Sequence, residues 1–94
     1  MKYKTRKGVV LVNIANQFVL IPTRAASKYC PRASKLTLLH MIVWRKMERE
    51  EDVRDLIPGF SAFFNGNQEI AWDKICEIME ELYNEGFLII DHAE

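Results

Sequence analysis

The 94-residue chain has no long apolar run: nothing in it approaches the roughly 20 consecutive apolar residues needed to span a bilayer. Its start, Met-Lys-Tyr-Lys, lacks the apolar stretch and small-residue cleavage site of a secretory signal, so the sequence reads as cytoplasmic. Cysteine is scarce, with only Cys30 and Cys76, far apart and outside any CxxC, which argues against a disulfide framework and a zinc site. Histidine is equally scarce: His40 falls on an apolar helical stripe and His92 lies in the tail. There is no glycine-rich phosphate loop, and no nucleophile has an identifiable base nearby in sequence, so an enzyme is not expected and no cofactor is implied.

Acid is nearly missing from the first half. Residues 1–49 hold eleven Lys or Arg and one acid, Glu48, whereas residues 50–94 hold two bases and twelve acids. The net charge of zero hides this dipole, which bears on partners and association and not on fold. What is abundant is apolar surface, 49% of residues with ten aromatics, enough for one small globular domain over 1–94.

"GVVLVNIANQFVLIPT", residues 8–23, reads as a β-hairpin: β-branched strands at Val9–Ile14 and Gln17–Ile21, and a tight turn at Ala15-Asn16. Both of its faces are apolar, where a hairpin over a single core would alternate. Three helices can cover one sheet face but not readily two. Something must therefore cover the second face or the edge beside it: the chain's own ends, a second copy in a homodimer, or a peptide strand. Lys2–Arg6 could be a short first strand or a lead-in. Ala25–Tyr29 could be one helical turn or a short third strand, stopped by Pro31. The surrounding segment carries Arg24, Lys28 and Arg32 and no acid.

Ser34 is expected to cap a helix over about residues 34–49, apolar nearly all round and hence central. A short acidic helix is expected over 51–57, broken by Pro58-Gly59, and a third over 68–85, capped by Asn67 and ended by Gly86. The order is α+β: a small N-terminal antiparallel sheet over about residues 2–30, then three helices. On a wheel the last helix has an apolar arc of about 160°, wider than the roughly 100° that one core contact needs. The surplus is Trp72, Cys76, Met79 and Tyr83, which reads either as plain core or as a groove wall.

"KGVVLVNIANQFVLIPTRAASKYC", a buried helix, a short acidic helix and "CEIMEELYNEGFLI" together resemble the PqqD-like group, the small peptide chaperones named for coenzyme PQQ biosynthesis and also called RiPP recognition elements. The resemblance implies a winged-helix-like fold with a three-stranded N-terminal sheet. It also implies a function without chemistry of its own: capture of the leader of a ribosomally made precursor peptide, by strand addition, for a radical SAM or other peptide-modifying enzyme. The leader would dock beside a third strand at about Ala26, Ser27, Lys28, Tyr29 and Cys30, in a cleft walled by Trp72, Cys76, Met79 and Tyr83. Arg24, Lys28 and Arg32 would form a basic wall, and Glu69, Asp73 and Glu80 an acidic rim. The sequence departs from the pattern where Pro31 follows Cys30 and where Pro58-Gly59 interrupts the second helix. The alternative is a winged-helix nucleic-acid binder. The basic first half favours it; the acids on both later helices, where a reading helix presents Arg, Lys, Asn or Gln, weigh against it.

Overall fold

The computed structural model describes residues 2–30 and 32–91, so Pro31 and His92 lie outside the described residues. The hairpin forms as read. Strand β2 (Val9–Ile14) pairs antiparallel with β3 (Gln17–Pro22), Val9 opposite Pro22 and Ile14 opposite Gln17. Ala15 and Asn16 close it with φ of 51° and 64°. Positive φ at both central residues belongs to the turn whose twist matches that of the strands. Tyr3–Thr5 is a strand, β1, but it does not join this sheet: it pairs with β5 (Leu88–Ile90), Tyr3 opposite Ile90 and Thr5 opposite Leu88. The two ends of the domain thus meet in a separate two-stranded ribbon.

The third strand is not where the resemblance places it, and of the two readings of Ala25–Tyr29 the helical turn is the one that forms. Residues 26–30 form a helical turn: the Ala26 and Ser27 amides donate to the Thr23 carbonyl, and the Tyr29 and Cys30 amides to that of Ala26. Four of the five backbone donors are thus satisfied locally and are not offered to a ladder. The third strand is instead β4 (Ser34–Leu36), on the far side of β3, with Leu36 opposite Phe18 and Ser34 opposite Leu20. The order of the main sheet is β2-β3-β4.

Because Ser34–Leu36 is strand, helix α1 starts later than expected, over Leu38–Glu48, and its cap is Thr37, whose hydroxyl accepts from the His40 amide. Pro58-Gly59 does not break the second helix. Asp52 caps a 3-10 turn over Val53–Leu56, and the chain runs on into α2 (Ile57–Ser61) with Pro58 in the first turn, where its missing N–H costs nothing. Asn67 caps α3 (Gln68–Asn84) by accepting from the Ile70 amide. Gly86, at φ +90°, ends α3 as expected. The Phe87 amide donates to the Leu82 carbonyl and the Gly86 amide to that of Tyr83, the paired bonds of a left-handed helix stop.

The core lies between the inner sheet face and the helices: Val9 and Leu20 from the sheet, Val43 and Trp44 from α1, Ile75, Ile78 and Leu82 from α3, with Phe87 and Leu88 closing the end. Residues paired across an antiparallel sheet share a face, so Val10, Val12, Ile14, Val19 and Ile21 form the outer face. Among the described residues no helix lies over it: Val10 is 43% exposed and Ile14 54%.

Candidate functional site

Helix α3 buries one stripe, Ala71, Ile75, Ile78 and Leu82. At about 100° per residue its other side chains fall on two opposite flanks of that stripe. They face two different grooves, and this separates what the sequence suggested as one cleft.

The first flank carries Trp72, Cys76 and Met79. These half-buried side chains line a groove of about 860 Å³ whose far walls are β1 and the segment after α1. Tyr83 continues this flank, its ring 5.2 Å from that of Tyr3. Arg54 reaches over Trp72, the guanidinium 5.8 Å from the ring centre. Burial pushes the Cys76 thiol up, and the Asp73 carboxylate adds to the shift.

The second flank carries Lys74, Glu77, Glu81 and Glu85, and it faces β4. His40, just past the end of that strand, holds Glu81 with Nε2 2.6 Å from Oε2, while its Nδ1 lies 2.6 Å from the Thr37 hydroxyl. The bond from His40 holds the Glu81 carboxyl below the usual carboxylate range. One strand length away, Glu85 and Phe87 meet Arg32, Ala33 and Ser34 around a cavity of about 260 Å³. Strand β4 therefore runs alongside the C-terminal half of α3. Its outer side pairs with no strand among the described residues, because the order ends at β4 and the tail strand β5 pairs with β1.

The expected contact residues divide accordingly. Trp72, Cys76, Met79 and Tyr83 sit together, on the flank away from the open strand edge. So do Glu69, Asp73 and Glu80, the expected acidic rim. Ala26 and Cys30 are buried, and burial pushes the Cys30 thiol up. Ser27, Lys28 and Arg24 are exposed on the helical turn, with Tyr29 stacked between Arg6 and Lys28 at 4.2 Å and 5.0 Å. This turn abuts the end of α3 so tightly that a Cβ on Gly86 would lie 2.4 Å from the Tyr29 carbonyl oxygen. Arg32 alone of the predicted basic wall lines the cavity at β4. Sequence reasoning missed Ser34–Leu36, His40, Glu81, Glu85 and Phe87. The available signal was Thr37, a second N-cap candidate three residues after Ser34, which frees three residues for a strand.

Among the described residues no group of three His, Cys, Asp or Glu side chains is placed to hold a metal ion, and no helix is long and apolar enough to cross a membrane.

The fold is α+β and winged-helix-like, a three-stranded antiparallel sheet followed by three helices with one sheet edge open beside the last. No known family profile matches the sequence, and no curated protein is detectably similar to it. Two solved structures share the fold. One is a lasso peptide synthetase B1 complexed with the leader peptide, with a TM-score of 0.76 over 96% of this chain and all of that one at 11% identity. The other is TbiB1 in complex with the TbiA(beta) leader peptide, with a TM-score of 0.71 over 94% of this chain and 99% of that one at 16% identity.

Proposed function

We propose that this protein is a leader-peptide-binding module: it takes up the leader of a ribosomally made precursor as an added strand and presents it to a peptide-modifying enzyme, a radical SAM protein or another class. One observation carries the reading. The outer edge of β4 is unpaired and lies beside a flank of α3, in a fold shared with two proteins solved in complex with leader peptides. The PqqD-like resemblance points to the same kind of function without chemistry of its own.

The geometry sets where affinity comes from. An edge of three residues offers only a few main-chain bonds, each worth about 1 kcal/mol net. Micromolar binding needs about 8 kcal/mol. Most of it must therefore come from side chains seated between β4 and α3. Arg32 stands on one side of that cleft and Glu77, Glu81 and Glu85 on the other, so the guest carries charges of both signs around apolar anchors; Lys35, opposite Val19, belongs to the outer sheet face. A duplex-reading role fits poorly, because α3 offers carboxylates on both flanks.

The test is an amide NMR titration with synthetic leader peptides of ribosomally made precursors. Signals of Ser34–Leu36 and of Glu77, Glu81 and Glu85 move on saturation, and those of Trp72, Cys76 and Met79 move less. If the β4 signals stay still at saturating peptide, the proposal is wrong. A duplex DNA titration at low ionic strength shows no binding.

A further inference from the structure

The groove on the other flank of α3 has no part in strand addition at β4, yet it is the larger of the two. We infer that it is a second docking surface, for a segment of a partner protein that carries Lys or Arg on either side of an apolar anchor. Its floor is apolar and adaptable: Met47, Val53, Trp72, Cys76 and Met79. Met and Trp are the side chains that bury large areas against a partner while accommodating its shape.

The rim specifies the sign of the guest. Glu51 is already bridged to Lys46 at 3.6 Å, and Lys4 to Asp91 at 3.9 Å. Among the described residues, Glu50, Asp52 and Glu80 on the rim have no ion-pair partner, nor have Glu69 and Asp73 on the same flank of α3. Against the three on the rim stand Lys2 and Arg54, and Arg54 is turned onto the Trp72 ring, while Glu69 and Asp73 lie outside the lining, on the solvent side of α3. A rim with surplus acid around an apolar floor attracts a basic, apolar segment and repels an acidic one.

The two surfaces lie on opposite sides of the buried stripe of α3, so both can be filled at once. A module that holds a peptide on one side and its enzyme on the other needs this arrangement. The groove stands independently of the leader reading, because different residues report on each.

The probe is a short synthetic peptide of Lys residues around Leu and Trp anchors, compared with its twin bearing Glu for Lys. The Lys peptide shifts the amides of Met47, Trp72, Cys76 and Met79 and leaves Ser34–Leu36 in place. The paired change Glu50→Lys and Glu80→Lys, at two exposed side chains, weakens its binding roughly tenfold, as expected when exposed charge pairs turn repulsive. The thermal midpoint of that variant and its Ser34–Leu36 amide signals match the parent's, which shows that the variant is folded. The inference is overturned if the Glu twin binds equally well, if the charge reversal has no effect, or if the Lys peptide moves only the β4 flank. It is also overturned if the groove signals move with protein concentration alone, since the occupant would then be a second copy of this chain.

Discussion

His40 Nε2 stands 2.6 Å from Glu81 Oε2 and ties the first turn of α1 to α3 just beyond the open strand. This bond fixes the width of the cleft at one end, as the packing of Phe87 fixes it at the other. The Glu81 carboxyl is held below its ordinary range, first by the hydrogen bond from His40. A carboxylate depressed in the folded state stabilises above its unfolded pKa of about 4.3, and the contribution is lost as pH falls through the folded value. Glu81 is 47% exposed, so screening keeps the effect to a few tenths of a kcal/mol. Glu81→Gln therefore melts slightly below the parent at neutral pH. Melting curves across the acid range show the two converging as pH drops below about 4.

Gly86 and Gly59 predict opposite outcomes for the same substitution. At Gly86, φ is +90° and an added Cβ meets the Tyr29 carbonyl oxygen, so Gly86→Ala adds a backbone clash to a left-handed penalty of about 1–2 kcal/mol. At Gly59, inside α2, a Cβ meets nothing within 4 Å, and Gly59→Ala stabilises by about 0.5–1 kcal/mol. Urea titrations of the two variants move in opposite directions from the parent midpoint.

Ala15 sits at φ 51° in the hairpin turn, a conformation that disfavours Ala and suits Asn. Ala15→Asn raises stability by about 0.5–1 kcal/mol, seen as a higher thermal midpoint, with the amide signals of Ser34–Leu36 unchanged.

The two thiols differ in access. Both are pushed up by burial, so neither is a strong nucleophile at neutral pH, but Cys30 is only 1% exposed whereas Cys76 reaches the groove. Slow alkylation with iodoacetamide, read by mass spectrometry, modifies Cys76 first. The adduct blocks the Lys peptide and leaves the amide signals of Ser34–Leu36 in place.

Much of the fold was legible because local chemistry decided it. Ala15-Asn16 announced a turn, Asn67 a helix start and Gly86 a helix stop, and each acts through its own backbone. The third strand was not legible. Ser34–Leu36 is too short to show a period of two, and Ala26 and Cys30 are apolar for a different reason: they plug the end of α3. The wheel of α3 placed Trp72, Cys76, Met79 and Tyr83 beside the buried stripe, and in the structure Trp72 and Met79 both pack against the core and line the groove. It could not say which neighbour they face, because periodicity gives an angle around one helix and not the position of β4 relative to it.

The bare outer side of the hairpin bears on how the domain comes apart. Val10, Val12, Ile14, Val19 and Ile21 draw no support from above, so the β2–β3 ribbon is held from below, through Val9, Leu11 and Leu20, and along one edge by the short strand β4. A lone two-stranded ribbon hardly persists in water. Loosening of α1 or α3 thus takes the ribbon with it, and the protein melts as one unit rather than shedding its helices from a surviving raft.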